Sequence, residues 1–157
     1  MRALIQRVCR ANVLVEERIT GAIENGLLVF IGIERTDQFQ QAEWLAGKIV
    51  RLRVFPDADK KMNLSLLDIK GELLIVSQFT LCADMSRGNR PSYSAAAPPR
   101  EAKLLYEYFV ACCQDKGVRV QTGEFQAHMK VELVNDGPVT LWCQTESSER
   151  NTNWGRS

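Results

Sequence analysis

The sequence predicts a single α/β domain of the α+β kind, with β-strands forming the body and two helices packed on the outside. Three observations carry this. Segments with a period of two, or apolar on both faces, recur at both ends and in the middle of the chain, and only two stretches show helical spacing. With 157 residues and 45% hydrophobic composition, the chain suffices for one well-buried core and is short for two. The domain is expected to span residues 1–145.

Residues 2–9 alternate, with Ala3, Ile5, Arg7 and Cys9 on one face and Leu4, Gln6 and Val8 on the other. Arg7 thus shares a face with apolar neighbours, and because an unpaired buried charge is costly it requires a carbonyl or carboxylate partner. The strand pattern continues through Asn12 to Glu16 and, after a turn, from Ile19 to Ile23. Beyond Asn25-Gly26, the run Leu27 to Ile33 is apolar on both faces, the mark of an interior strand. Asp37 and Gln40 have capping-box spacing, and Phe39, Ala42, Ala46, Ile49 and Val50 recur at helical spacing, so a first helix is expected to about Arg53. A loop through Pro56 to Asn63 leads to the apolar strand Leu73 to Val76.

Residues 83–99 form a long, turn-rich connection of a length that is usually functional or disordered. Pro98-Pro99 opens a second helix with an apolar stripe at Ala102, Leu105, Tyr106, Phe109, Cys112 and Cys113, closed by Gly117. Two final strands are expected, Met129 to Leu133 and Val139 to Cys143, joined by a turn at Asn135 to Pro138. The remainder, 146–157, loses hydrophobic period and is expected to be a disordered tail.

Composition excludes several classes. No apolar stretch approaches the roughly 20 residues needed to span a bilayer, and the N-terminus lacks a signal-peptide core, so a cytoplasmic protein without membrane association is expected. Five cysteines without a Cys-x-x-Cys pair fit reduced thiols, with Cys112 and Cys113 packing as small hydrophobes. A net charge of +1 argues against gripping long duplex, so DNA is not an expected partner and any RNA contact is local. The basic residues Lys48, Arg51, Arg53, Lys60 and Lys61, and later Arg87 and Arg90, read as a solvated face. His128 is the only histidine, which makes a catalytic triad hard to assemble. No His, Cys and carboxylate cluster has metal-ligand spacing, so neither a metal nor a cofactor is expected.

Two segments carry the chemistry. Ser77-Gln78-Phe79-Thr80-Leu81 closes the apolar strand 73–76, bringing hydroxyls, an amide and main-chain N–H groups to a strand end. Thr80 is a candidate nucleophile only if a base lies nearby; alternatively, the N–H groups of Phe79 and Thr80 cradle a developing oxyanion. In Asn135-Asp136-Gly137-Pro138-Val139-Thr140, an ordinary turn is one reading. A cis Gly137–Pro138 bond, aiming neighbouring carbonyls the same way, is the other.

Together these segments resemble the D-aminoacyl-tRNA deacylase family, whose signatures Ser-Gln-Phe-Thr-Leu and Asn-x-Gly-Pro-Val-Thr are both matched without departure. The likeness extends over about residues 1–145, including Ala3 to Val8, Lys61-Met62-Asn63-Leu64 and Gly88-Asn89-Arg90-Pro91-Ser92. It implies barrel-like β-sheets with two helices outside, and a homodimeric, cofactor-free hydrolase. Such an enzyme cleaves the ester between a D-amino acid, or glycine on mischarged tRNA, and the 3′-terminal adenosine of tRNA. The resemblance also implies a Gly-cisPro motif, here Gly137 and Pro138, that enters the opposite subunit's site and rejects L-aminoacyl-tRNA. On this basis Ser77, Gln78, Phe79 and Thr80 face the ester, Gln78 orients the terminal ribose or adenine, and Met129 lines the adenine side. Arg7 is assigned to hold the partner chain's Gly-Pro carbonyls, and the substrate's 2′-hydroxyl assists in place of an activated Thr80. Two alternatives stand beside this reading: a catalytically inactive module that binds the tRNA 3′ end, and a thiol-dependent esterase using Cys82 or Cys143.

Overall fold

The computed structural model describes residues 1–145; the tail expected to be disordered, 146–157, lies outside the described residues. Within them the strands are β1 (Arg2–Val15), β2 (Arg18–Ile23), β3 (Gly26–Gly32), β4 (Phe55–Pro56), β5 (Met62–Leu64), β6 (Glu72–Ser77), β7 (Arg119–Thr122) and β8 (Lys130–Gln144). Two helices, α1 (Phe39–Val50) and α2 (Pro99–Gln114), complete the α+β architecture. No helix among the described residues is long and apolar enough to cross a membrane.

β1 organises the sheet, because its 14 residues pair along both edges. On one edge its N-terminal half meets β3 and its C-terminal half meets β2; on the other edge β8 runs antiparallel along both halves. From β3 the sheet continues through the parallel pairs β3–β6 and β6–β7. β2 then approaches β7 from the other side so closely that a Cβ at Gly21 would lie 2.4 Å from the Thr122 carbonyl oxygen. Only a glycine permits that approach, and it leaves the sheet a nearly closed barrel, as expected.

Two cores follow from the alternation of side chains across the strands. Leu27, Val29 and Ile31 of β3, with Leu73 and Ile75 of β6, join a core completed by Leu45 and Ile49 of α1 and by Leu105 and Phe109 of α2. The opposite faces of the same strands, through Leu28, Leu74 and Val76, join Val8, Ala11 and Val13 of β1 inside the barrel. Burial on both sides is why β3 and β6 read as unbroken apolar runs. Cys113 is fully buried against the helical core and Cys112 partly so, matching their expected packing role.

Five points of the sequence reading need correction. The helix cap lies one residue later than expected, with Gln41 Oε1 accepting the Gln38 N–H at 3.0 Å, while Asp37 is drawn off to the Met1 ammonium and the Glu34 N–H. α1 also ends at Val50 rather than near Arg53. The segment 55–64 is not all loop, because β4 and β5 pair as a small hairpin; β7 is a further strand that the sequence reading left out. Finally, the two strands expected at the C-terminus are one strand, β8, which keeps β1 as its partner on both sides of residues 136–139.

Candidate active site

The site is built where two parallel strands end together. Ile31 of β3 pairs with Ser77 of β6, and its carbonyl accepts the Gln78 N–H at 2.7 Å. The chain then enters a 3₁₀ turn, Phe79–Cys82, held by Leu81 N–H to the Gln78 carbonyl at 3.2 Å. The first N–H groups of a helical turn have no internal acceptor. Here those of Phe79 and Thr80 find none among the described residues, and both residues are exposed at the barrel's edge. The Thr80 hydroxyl accepts a hydrogen bond from the Gln78 side-chain amide, so the two side chains orient one another.

Beside this turn opens a cavity of about 770 Å³. Its lining includes Ser77, Gln78 and Phe79 from the strand end, Met129 and Val131 from the far wall, and Phe125 between them. The Met129 position depends on Gly123, where a Cβ would come within 2.6 Å of the methionine sulfur. Such a cavity, largely apolar with a few convergent polar groups, suits a flat or apolar group anchored at one polar end. Of the four residues of the strand-end motif, Ser77, Gln78 and Phe79 line the cavity and Thr80 does not; unengaged N–H groups beside such a cavity are suited to donate to an oxygen on which negative charge develops.

The remaining expected residues lie elsewhere in the chain. Arg7 is buried, and its guanidinium donates to the Val54 carbonyl at 2.5 Å and pairs with the Asp136 carboxylate at 2.9 Å. The partner required by its apolar setting is thus both a carbonyl and a carboxylate, each from its own chain. Above it the β8 strand loops out: Val8 pairs with Asn135 and Gln6 with Thr140, so residues 136–139 face Arg7 alone. Asn135 pins the loop, its amide donating to the carbonyls of Arg7 at 2.9 Å and Val139 at 3.0 Å. Gly137 has φ +117, a conformation that favours glycine, and a Cβ there would also come within 2.8 Å of the Arg7 guanidinium and displace it. The Gly137–Pro138 peptide is cis, both residues are exposed, and neither lines the cavity of its own chain.

Sequence reasoning missed several cavity residues. Tyr93, from the 83–99 connection, packs edge-on against Phe79 with ring centroids 5.0 Å apart. Arg35, Phe125 and His128 also reach the cavity wall, His128 as an exposed side chain. The length of the 83–99 connection was the one signal that could have pointed to Tyr93. Neither thiol of the alternative esterase reading lines the cavity. Cys82 is buried, its Sγ donates to the Ile33 carbonyl at 3.6 Å, and burial pushes the thiol up to about 11. Burial likewise raises Cys143. Both are poor nucleophiles near neutral pH.

Residues 4–144 match the family model described as D-Tyr-tRNA(Tyr) deacylase. The D-aminoacyl-tRNA deacylase of Geotalea uraniireducens (strain Rf4) is 60% identical over 153 residues, which are 97% of this chain and 99% of that protein. That of Thermotoga petrophila is 57% identical over 141 residues, 90% of this chain and 95% of the relative. Among solved structures, the c-Myc DNA unwinding element binding protein superposes with a TM-score of 0.88 at 37% identity, covering 93% of this chain and 99% of its own. A probable eukaryotic D-amino acid tRNA deacylase gives 0.79 at 17% identity over 90% and 97%, a likeness of fold alone.

Proposed function

The chain belongs to the D-Tyr-tRNA(Tyr) deacylase family, and on that premise we propose that it hydrolyses the ester between a D-amino acid and the 3′-terminal adenosine of tRNA. The observation that carries this is the pair of unengaged N–H groups on the 3₁₀ turn, that of Phe79, which lines the cavity, and that of Thr80, the next residue, which does not. The terminal adenosine enters the apolar cavity beside Met129 and Phe125, with Gln78 orienting its ribose or base. That seats the ester carbonyl on the 3₁₀ turn. As water attacks, charge gathers on the carbonyl oxygen, where two fixed N–H dipoles stabilise it more than they stabilise the ground state. The adjacent ribose 2′-hydroxyl assists the proton transfers, so Thr80 orients rather than attacks. Breakdown of the tetrahedral species releases the D-amino acid and a free tRNA 3′ end.

Selection between hands belongs to Gly137 and Pro138. Exposed on a loop pinned by Asn135 and Arg7, they are positioned to enter the cavity of a second copy, making the working unit a homodimer with sites shared across subunits. Their carbonyls fill the volume that an L side chain needs, whereas a D side chain points away. Selection by exclusion has a corollary: glycine has nothing to exclude, so glycyl-tRNA is also a substrate.

The test is release of amino acid from D-tyrosyl-, L-tyrosyl- and glycyl-tRNA by the purified protein. Fast release from the first and third, with the L ester left intact, is expected. Equal rates for the two hands, or no release at all, would refute the assignment, and tight tRNA binding without hydrolysis would favour an inactive 3′-end-binding module.

A further inference from the structure

By composition Arg87 and Arg90 of the 83–99 connection belong to a solvated face, but their placement in the fold gives them a direction. Asp84 and Ser92 exchange two backbone hydrogen bonds, at 2.8 and 2.9 Å, so the residues between them form an arm closed at its base. Arg87 and Arg90 lie on that arm, exposed, and neither has a carboxylate within 4.0 Å among the described residues. The arm's own carboxylate, Asp84, is engaged locally, accepting the Ser86 N–H at 2.9 Å.

The arm is continuous with the cavity. Tyr93, the residue that follows the arm's base at Ser92, lines the cavity and packs on Phe79. The next residues fix a third arginine: Arg35 donates from its backbone N–H to Ala95 at 3.0 Å and from Nε to the Ser94 carbonyl at 2.7 Å. Arg35 itself stands at the cavity wall, also without a carboxylate partner among the described residues. Arg2, Arg7, Arg18 and Arg119 are paired with carboxylates; Arg10, Arg51, Arg53 and Arg100 are not, among the described residues, but none of them lines the cavity or lies on the arm that leads to it.

We propose that this arm is the docking surface for the sugar-phosphate backbone of the single-stranded RNA that leads into the cavity, with Arg35, Arg90 and Arg87 meeting successive phosphates. The proposal rests on the reading of the cavity as the seat of the terminal adenosine. Guanidinium groups match phosphate geometry and stay charged at every physiological pH. The scale fits as well: Arg90 is three residues from Tyr93 and Arg87 six, spans of at most about 10 and 20 Å of chain, comparable with a few nucleotides of strand. A net charge of only +1 makes such a local track, rather than a general basic surface, the means of holding RNA.

The experiment compares the full chain with R87Q/R90Q and R87K/R90K. Each is titrated against a fluorescein-labelled single-stranded RNA carrying the tRNA 3′ sequence, over a range of salt concentrations. Losing two phosphate contacts should weaken binding roughly tenfold at low salt and reduce the slope of log K against log salt by about 1.4. The lysine pair should restore most of that slope. A glutamine variant with the wild-type affinity and slope would overturn the proposal. The hydrolysis reading is judged separately, on D-tyrosyl-tRNA turnover by the unaltered protein, so either conclusion can fall while the other stands.

Discussion

Replacing Thr80 with alanine separates orientation from covalent catalysis. The Thr80 side chain is exposed and its hydroxyl is engaged by the Gln78 amide, so the substitution should leave stability within about 0.5 kcal/mol of the parent. What it removes at the site is one neutral hydrogen bond. A neutral hydrogen bond is worth about 0.5 to 1.5 kcal/mol, which converts to a two- to twelvefold slower chemical step, roughly. The Phe79 and Thr80 N–H groups are main chain and survive the change. A nucleophile, by contrast, leaves a deficit of at least about a thousandfold, or roughly 4 kcal/mol of transition-state stabilisation. The assay is single-turnover deacylation of D-tyrosyl-tRNA with enzyme in excess, which reads the chemical step free of product release. A loss beyond about a thousandfold, with trapping of an acylated protein, would refute main-chain catalysis.

Arg7→Met should destabilise the fold by about 2 kcal/mol, because it strands the buried Val54 carbonyl while the half-exposed Asp136 regains water; urea titration would measure it. At Asp57, hydrogen bonds from the Lys61 N–H foremost, and from Asn63 and Asp59, hold the carboxyl below its usual 3.8. That contribution is complete above about pH 4 and fades as the pH falls through the lowered folded value, so Asp57→Asn should flatten the acid limb of a stability profile recorded by thermal melts. Iodoacetamide applied to the native protein at pH 8 should leave deacylation intact, since Cys82 is pushed up to about 11 by burial and Cys143 is raised for the same reason; abolished activity would revive a thiol mechanism.

The parts of the fold legible in the sequence are those where one segment's own pattern decides its fate. Leu27 to Ile33 and Leu73 to Val76 announce burial on both faces, and the helices carry their own apolar stripes, although both ends of α1 were misplaced. β7 was not legible because Arg119-Val120-Gln121-Thr122 has a single apolar side chain, and only its parallel neighbour β6 makes it a strand. The hairpin of β4 and β5 is two and three residues long, too short for a period. The capping box was misplaced because Asp37–Gln40 and Gln38–Gln41 share one spacing, and the competing demand of Met1 and Glu34 for Asp37 appears only in three dimensions. Asn-Asp-Gly-Pro signals a turn, yet the pairing of β8 with β1 resumes on the far side and overrides it. Likewise the strand-end motif at Ser77 to Thr80 could be read directly, whereas the cavity wall at Tyr93, Phe125 and His128 is assembled from distant segments.

The excursion of β8 at residues 136–139 leaves and rejoins the ladder against a single strand, with Val8–Asn135 on one side and Gln6–Thr140 on the other. Anchoring at both flanks uncouples what the excursion contains from the registration of everything around it. Lengthening or reshaping those few residues need not slide Leu133 or Leu141 along β1. The barrel thus carries Gly137 and Pro138 on a segment whose own shape is set by local contacts, while the ladder that presents it stays fixed.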